Sequence, residues 1–439
     1  MLNFYWKVAL HNSKRNKVLT ILMVLAISVG IGASMTTLTI MRLLSGDPLP
    51  GQSQHIFYPQ IDVAPDSSGG EPFDVLDYPT AHELWRARQA DQQTMVTSSQ
   101  VRLRAADMAF APRMVPMASV TADFFPMFDV PFQYGRGWRA ADDENRERVV
   151  VISSQLNEQL FGGADSTGRT IRLGETTLRI IGVLAAWRPA PLFYKLRGGR
   201  FSNGDTAGFY GKTDDVFMPF STSLEVNAGN FQAFTCWATP DQPGHLENAP
   251  CVWVALWVRL DSAAKVASYD RFLHSYAARL KEQGRIRHAD NTRLRSLLQW
   301  LDFNRVVPAD VKLQTALAFA FLTICLSNVV SLLLAKFLRH SPEMALRRAL
   351  GASKRAIFAQ CMTETLVIGV LGGVGGLLLT ELGLYLVRRQ SVPYVDLAYL
   401  DIAMFALTFA VSLAVSLIAG MLPSLRATLI QPAAQLKQL

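Results

Sequence analysis

Four long apolar stretches determine what this chain of 439 residues can fold into. Three of them contain no charged residue, and they cover residues 18–41, 313–335 and 402–425. The fourth, 357–387, contains only two charged residues, Glu364 and Glu381. Each stretch exceeds the roughly 20 residues that an α-helix needs to cross a hydrocarbon core. We therefore predict an α-helical transmembrane bundle of four spans.

Basic residues beside the spans predict their orientation. Four lysine or arginine residues lie within 7–17, before the first span, and six lie within 336–355, between the second and third. Short loops that carry such residues remain in the cytoplasm. We expect both termini to be cytoplasmic, and the long segment between the first two spans to lie across the membrane from them.

This topology divides the chain into nine segments. They are a cytoplasmic interfacial helix (1–17), the first span (18–44), an extracytoplasmic domain (45–310), the second span (311–337), a cytoplasmic loop (338–356), the third span (357–387), an outer loop (388–400), the fourth span (401–424) and a cytoplasmic tail (425–439). The outer segment is long enough for one or two domains with their own cores.

The composition predicts membrane lipid, and no nucleic acid, as a partner. Of all residues, 50% are hydrophobic and 18% are charged, which is typical of a membrane protein. The formal net charge is +8, but membrane orientation explains the basic residues beside the spans.

Two of the four cysteines, Cys236 and Cys251, lie in the outer segment. An oxidising compartment there permits disulfides, and the two residues are close in sequence. We predict a disulfide between them, with two separate buried thiols as the alternative.

Short apolar runs separated by turn residues predict an α+β fold for the outer segment. Residues 149–152 form a buried-strand run, and Ser153 or Ser154 can cap the helix that follows. Residues 169–184 have the pattern of a β-hairpin. Residues 252–260 are apolar on both faces, which predicts a central strand or a face that contacts a partner.

The pattern is broken between residues 185 and 250, where glycine, proline and aromatic residues dominate. We interpret this stretch as an inserted lobe that contains one strand, at 215–220. The prediction for the whole outer segment is therefore an extracytoplasmic α+β domain with two lobes.

The sequence shows no enzyme active site. Gly211-Lys212-Thr213 resembles the end of a phosphate-binding loop, but Thr206 stands where such a loop needs its first glycine. The seven histidines lack the spacing of metal ligands. We expect no catalytic residue and no metal.

Residues 341–353, between the second and third spans, are typical of a short capped helix. Ser341 can cap its N-terminus, Pro342 suits the first turn, and Gly351 can adopt the left-handed conformation that ends a helix. Packing against the membrane or another protein must stabilise so short a helix. The alternative is a connecting loop whose arginines only orient the bundle.

Three polar residues within the spans are candidates for a function because polar groups are costly in lipid: Asn328, Glu364 and Glu381. Glu364 could pair with Lys354 or Arg355 near the headgroups. Glu381 could reach the outer interface, and Asn328 could form a hydrogen bond to another helix. The glycines within 369–376 predict close helix packing, inside the chain or in a dimer.

Three segments together carry a resemblance to a known family. The first contains Asn328, Arg339, Glu343, Arg347-Arg348 and Gly351-Ala352, followed by Glu364 and the glycine-rich third span. The second, 120–184, contains Phe124-Phe125, Gly135-Arg136, Asp142-Asp143 and Ile181-Gly182-Val183. The third contains Leu422-Pro423, Arg426 and Pro432-Ala433. These segments resemble the MacB/FtsX-type permeases of ABC transporters, which have four spans and a large outer domain between the first and second.

The resemblance implies that the loop after the second span is a coupling helix that contacts an ATPase subunit. The contacting residues would be Glu343, Met344, Ala345, Leu346, Arg347, Arg348 and Gly351. It also implies that this chain holds no cofactor, since ATP and Mg²⁺ would be bound by a separate ABC ATPase.

The function that the resemblance implies is export by mechanotransmission. ATP hydrolysis by the separate subunit would move periplasmic domains that expel a drug, peptide or toxin from the outer side of a bacterial inner membrane. The implied partners are a second permease copy or a paralogue and, for efflux, a periplasmic adaptor and an outer-membrane channel. The alternatives are an FtsX-like signalling permease that controls cell-wall hydrolases and lipoprotein release of the LolC/LolE kind.

Overall fold

A computed structural model describes residues 17–65, 67–104, 111–195, 207–231, 233–242, 244–390, 394 and 397–428. The interfacial helix expected over 1–17 and the tail beyond residue 428 lie outside the described residues, apart from Lys17. The chain forms two compact units, one made of Met1–Leu44 with Val307–Leu439 and the other of Ser45–Val306.

Helices occupy both units. In chain order they are α1 (Lys17–Leu44), α2 (Tyr78–Arg86), α3 (Phe124–Met127), α4 (Ala140–Glu144), α5 (Ser154–Phe161), α6 (Ala207–Tyr210), α7 (Phe220–Val226), α8 (Ala263–Glu282), α9 (Leu297–Phe303), α10 (Ala309–Arg339), α11 (Ser341–Ala349), α12 (Lys354–Arg388) and α13 (Ile402–Thr428). Among the described residues, α1, α10, α12 and α13 are long and apolar enough to cross a membrane.

The four long helices extend past most of the predicted span ends, because a span continues as helix beyond its purely apolar stretch. The second begins at Ala309 and the third at Lys354, where Ser353 caps it by accepting a hydrogen bond from the Ala356 N–H. The fourth continues to Thr428 through Pro423.

The glycines of α12 bring helices of the same chain together. A Cβ atom added at Gly372 would lie 2.5 Å from Ile27 of α1, and one added at Gly373 would lie 2.6 Å from Ser412 of α13. Hydrogen bonds add to both contacts. The Ser28 hydroxyl donates to the Gly372 carbonyl at 3.1 Å, and the Ser412 hydroxyl donates to the Gly369 carbonyl at 2.7 Å. In this structure the glycine face therefore serves packing within the chain.

The unit Ser45–Val306, which we call the outer unit, is built on one sheet. Its strands and those of a separate hairpin are β1 (Ile56–Ile61), β2 (Gln92–Arg104), β3 (Arg113–Val120), β4 (Phe132–Gly135), β5 (Val149–Ile152), β6 (Thr170–Leu173), β7 (Thr176–Leu184), β8 (Val216–Pro219), β9 (Thr235–Cys236), β10 (Cys251–Val252), β11 (Ala255–Arg259) and β12 (Thr292–Ser296). The sheet order is β12-β1-β11-β2-β3-β8-β5-β7-β4, with β6 paired to β2 and β7.

Several local predictions for the outer segment are confirmed. β5 is followed by α5, whose N-terminal N–H groups are capped by Ser153 and whose end is the left-handed Gly162. β6 and β7 form the expected antiparallel hairpin. β11 lies between β1 and β2 with both faces buried, so it is a central strand.

Two predictions need correction. The run 252–260 is not one strand, because the Trp253 and Val254 N–H groups both donate to the Leu76 carbonyl and separate β10 from β11. The predicted lobe at 185–250 is not separate throughout, because its strand β8 lies inside the common sheet between β3 and β5, whereas β9 pairs only with β10. The glycine- and proline-rich sequence around β8 gave no pattern from which its pairing with β3 and β5 could be predicted.

Candidate functional site

Helix α11 is held between two long helices by short, well-defined junctions. A single residue, His340, separates α10 from α11 and acts as the N-cap, so the cap predicted at Ser341 is one residue too late. The His340 imidazole forms a 2.8 Å hydrogen bond to the Lys336 carbonyl of α10. At the other end Gly351 has φ of +99°, the left-handed conformation expected for it.

One face of α11 is anchored to the bundle. Met344 and Ala345 are buried, and Met344 shares an apolar core with Phe337 of α10 and Ile357 of α12. Arg347 donates to Gln360 of α12 at 2.8 Å and to Glu343 of its own helix at 3.0 Å. Because of these contacts α11 is an ordered part of the bundle, not a loose loop.

A further hydrogen bond ties α11 to the last long helix. Arg348 donates to the backbone carbonyl of Thr428, at the end of α13, over 3.3 Å. Three of the four long helices are thus connected to α11, by chain continuity or by side chains.

The opposite face of α11 is apolar and exposed. Leu350, just after the helix, is 81% exposed, and Leu346 is 53% exposed. Pro342 and Ala349 are exposed on this side as well. We call these four residues the α11 outer face, and it suits contact with a protein surface.

The seven residues that the resemblance marks for ATPase contact therefore do not form one surface. Met344 and Ala345 face the bundle, Leu346 faces outward, and Arg347 and Arg348 bind other parts of this chain. Leu350, outside that set, is 81% exposed. Helical spacing of four residues from Leu346 could have identified it.

Two of the intramembrane polar residues, Glu364 and Glu381, each form an ion pair with a basic residue, and only the first of these pairs is buried. Glu364 does not pair with Lys354 or Arg355; its Oε1 atom lies 2.5 Å from Nζ of Lys336 on α10, and both side chains are at most 7% exposed. Lys354 lies ten residues before Glu364, about 15 Å along the helix. Glu381 pairs with Arg388 at 2.6 Å near the C-terminal end of α12, where it is half exposed.

Asn328, the third intramembrane polar candidate, belongs to neither ion pair. It is exposed on the surface of α10, near the middle of that helix, together with Ser327 and Ser331. The Ser331 hydroxyl donates to the Ser327 carbonyl of its own helix. The hydrogen bond expected from Asn328 to another helix of this chain is not among the contacts of the described residues.

In the outer unit, Cys236 and Cys251 are joined as a disulfide across the antiparallel pair β9 and β10. Gly211-Lys212-Thr213 follows α6 and precedes β8, so it lacks the strand-to-helix turn of a phosphate loop; Thr206 lies outside the described residues. Within the described part of the chain, no group of three or more histidine, cysteine, aspartate or glutamate residues could hold a metal.

Comparisons with known proteins agree with this organisation. The model of the MacB-like periplasmic core domain matches residues 20–271, and that of the FtsX-like permease C-terminal region matches 315–432. The uncharacterized ABC transporter permease YvrN of Bacillus subtilis is 22% identical over 95% of each chain.

Two further matches differ in extent from this chain: one is a longer protein and the other is the crystal structure of a single region. The macrolide export ATP-binding/permease protein MacB of Pasteurella multocida is 21% identical over 98% of this chain, which spans 60% of that protein. The crystal structure of the periplasmic region of MacB from Actinobacillus actinomycetemcomitans covers 60% of this chain and 97% of its own, with 14% identity and a TM-score of 0.36.

The periplasmic core model alone covers more than half of the chain, and the permease model covers most of the three long helices after the outer unit and the short helix α11 between them. The match includes the long helix α1 at one end and α10 to α13 at the other. The chain is therefore a multi-pass inner-membrane protein and belongs to the MacB/FtsX-type family of ABC transporter permeases.

Proposed function

We propose that this chain is the permease subunit of an ABC exporter, and that the α11 outer face is where a separate ATPase docks. The observation that carries the proposal is the division of α11 into an anchored face and an exposed apolar face. Burying a leucine side chain contributes about 1.5–3 kcal/mol, so Leu346 and Leu350 together could supply a substantial part of a binding energy.

The docking face belongs on the cytoplasmic side in this proposal. The basic residues of 336–355 surround α11, and the positive-inside rule keeps such loops in the cytoplasm. Both termini are then cytoplasmic as well. ATP and Mg²⁺ are bound by the partner, and the role of this chain is to receive its motion.

The motion passes outward along the helices that α11 touches. A displaced α11 pulls on α10 through His340, on α12 through Gln360 and on α13 through Thr428. Helices α1 and α10 continue directly into the two ends of the outer unit. We propose that the outer unit is moved in this way and expels a drug, peptide or toxin at the outer side; relatives are named for export of macrolides and pyoverdine.

The double substitution Leu346→Glu with Leu350→Glu tests the docking face. Two carboxylates in place of two leucines should abolish copurification of the full chain with its ATPase, while membrane insertion is unchanged because neither residue packs in the bundle. Leu298→Glu is the control: Leu298 lies in the outer unit and is 45% exposed, and its substitution should leave copurification with the ATPase unchanged. Undiminished copurification of the double variant would contradict the proposal.

We also propose a second permease copy on the surface of α10 that carries Asn328. A side-chain amide in lipid needs hydrogen-bond partners, and its donor and acceptor can pair with those of a symmetry-related Asn. Asn328→Cys should therefore form a disulfide-linked dimer in native membranes, whereas Leu378→Cys, on the exposed surface of α12, should not. Equal dimer yields at the two positions would contradict this surface.

A further inference from the structure

The buried Lys336–Glu364 pair lies one helical turn from each of two attachments of α11, its junction with α10 at His340 and the hydrogen bond from its Arg347 to Gln360 of α12. Lys336 is four residues before His340, which connects α10 to α11 and is hydrogen-bonded to the Lys336 carbonyl. Glu364 is four residues after Gln360, which accepts the hydrogen bond from Arg347 of α11. The three helices α10, α11 and α12 are thus joined pairwise into a closed triangle.

The ion pair differs from the apolar contacts around it because it fixes position along the helices. Phe337, next to Lys336 in the chain, and Cys361, one turn before Glu364, belong to one buried apolar core. Apolar side chains can slide past one another and repack, whereas a single buried N–O contact is lost when one helix shifts by a turn. Separation would leave two charges without a partner in a medium that solvates neither, so the pair resists sliding strongly.

The helix register places other buried polar groups at the same depth. Ile27 of α1 lies beside Gly372, so Thr20, two turns earlier, is level with Glu364. Gly420 of α13 lies beside Thr365, which puts Ser424 within a turn of the same level. The hydroxyls of Thr20 and Ser424 are buried and have no hydrogen-bond partner among the described residues. Each long helix thus contributes at least one polar side chain to this layer, and among the described residues only α10 and α12 are joined by charge there.

We propose that Lys336 and Glu364 are positioning residues whose ion pair makes α10 and α12 move as one body when α11 is displaced. The proposal rests on the proposed function, because it assumes that an ATPase drives α11. The pair touches neither nucleotide nor substrate, and it acts by holding the two helices in register. Without it, a push on α11 would be absorbed by sliding between α10 and α12.

The test measures one distance in the full chain bound to its ATPase in lipid nanodiscs. Spin labels attached at Leu338→Cys and Arg355→Cys, both exposed, report the separation of α10 and α12, while Cys325 and Cys361 are buried and shielded from the reagent. The labelled chain is diluted into unlabelled chain so that only the distance within one chain is read, and we expect that distance to be single and the same with and without ATP. A distance that changes with ATP in the otherwise native chain would overturn the proposal, and this arm requires no variant of the pair to fold.

Variants of the pair separate positioning from simple stability. Lys336→Glu with Glu364→Lys restores opposite charges and should keep the single distance and the ATP hydrolysis rate. Lys336→Met with Glu364→Met removes both charges and should still fold, since apolar replacement of a buried pair is often neutral. It should, however, shift the distance on ATP addition by up to about one helical turn, 5 Å. Glu381→Gln, which breaks the half-exposed pair at the other end of α12, is the control and should behave as the native chain.

Each result decides one question. If the methionine double variant keeps the native, ATP-independent distance, the pair is only structural and the proposal is wrong. If the charge-swapped variant folds but behaves like the methionine variant, the ion pair is not the joint and the proposal is also wrong. Failure of the native chain to bind any ATPase would instead refute the proposed function, which the copurification step reveals before any distance is measured.

Discussion

Asp143 shows how a single buried carboxyl shapes the stability of the outer unit. It lies in α4, is almost completely buried, and accepts hydrogen bonds from the backbone N–H and the hydroxyl of Ser221 at the start of α7. Burial outweighs these hydrogen bonds and raises the pKa of Asp143 to about 6. The carboxyl therefore connects α4 to α7 at the cost of holding a buried charge at neutral pH.

This pKa predicts the direction of a pH dependence. A raised pKa in the folded state contributes stability below the unfolded pKa, and that contribution is lost as pH rises from about 4 to about 6. One pKa unit corresponds to about 1.4 kcal/mol, so the loss is roughly 3 kcal/mol. Asp143→Asn keeps an acceptor for Ser221 and should raise the free energy of unfolding by up to this amount at pH 7.5, with little change at pH 4.

Urea unfolding of the outer unit, followed by tryptophan fluorescence of the full chain at both pH values, measures the effect. Glu144→Gln, at the exposed neighbouring position, is the control and should leave the pH dependence as it is. If the free energy of unfolding of the Asp143→Asn variant falls between pH 4 and 7.5 as steeply as that of the native chain, burial of the Asp143 carboxyl does not cause this pH dependence.

Glu364 shows what the sequence reveals at the scale of a residue and what it does not. An ionisable group within a span was recognisable as unusual from composition alone. Its partner was not, because Lys336 occurs at the end of an apolar stretch and resembles an orienting charge of the flank. Only the helical phase, which turns Lys336 into the bundle, identifies the pair.

At the scale of elements, the contact between α1 and α12 depends on the absence of side chains. Gly372→Ala should destabilise the bundle by about 1–3 kcal/mol, because the added Cβ would meet Ile27, whose branched side chain is stiff in a helix. Gly30→Ala should cost less, since the nearest atom there is the mobile Cδ1 of Leu322, at 3.0 Å. Thermal unfolding in detergent measures both variants, and equal losses would contradict this account of the contact.

Elements defined by neighbouring residues were predictable, whereas their pairing was not. The strand at 149–152 and its capped helix follow from local pattern, as do the four spans. The position of β8 between β3 and β5 depends on residues far apart in the chain, and no local signal encodes it. The glycine face predicted a close contact, but the partner helix became known only from the fold.

For the whole molecule, the account depends on one assignment, that the α11 outer face receives an ATPase. The resemblance located the helix in the sequence, but the pattern did not show which of its residues face outward. That division follows from the burial of Met344 and Ala345 against α10 and α12, which only the packed bundle provides. If α11 binds an ATPase, the short connections through His340, Gln360 and Thr428 explain how movement of α11 is transmitted to α10, α12 and α13.

Photo-crosslinking from position 350 tests this assignment most directly. A photoreactive amino acid replaces Leu350, which is 81% exposed, in the full chain in its native membrane, and the covalent product is identified by mass spectrometry. We predict an adduct with a protein that carries a phosphate-loop ATPase motif, and no such adduct from position 378, a leucine that is 70% exposed on α12. Adducts at position 350 with lipid alone, or with the same proteins as at position 378, would contradict the account.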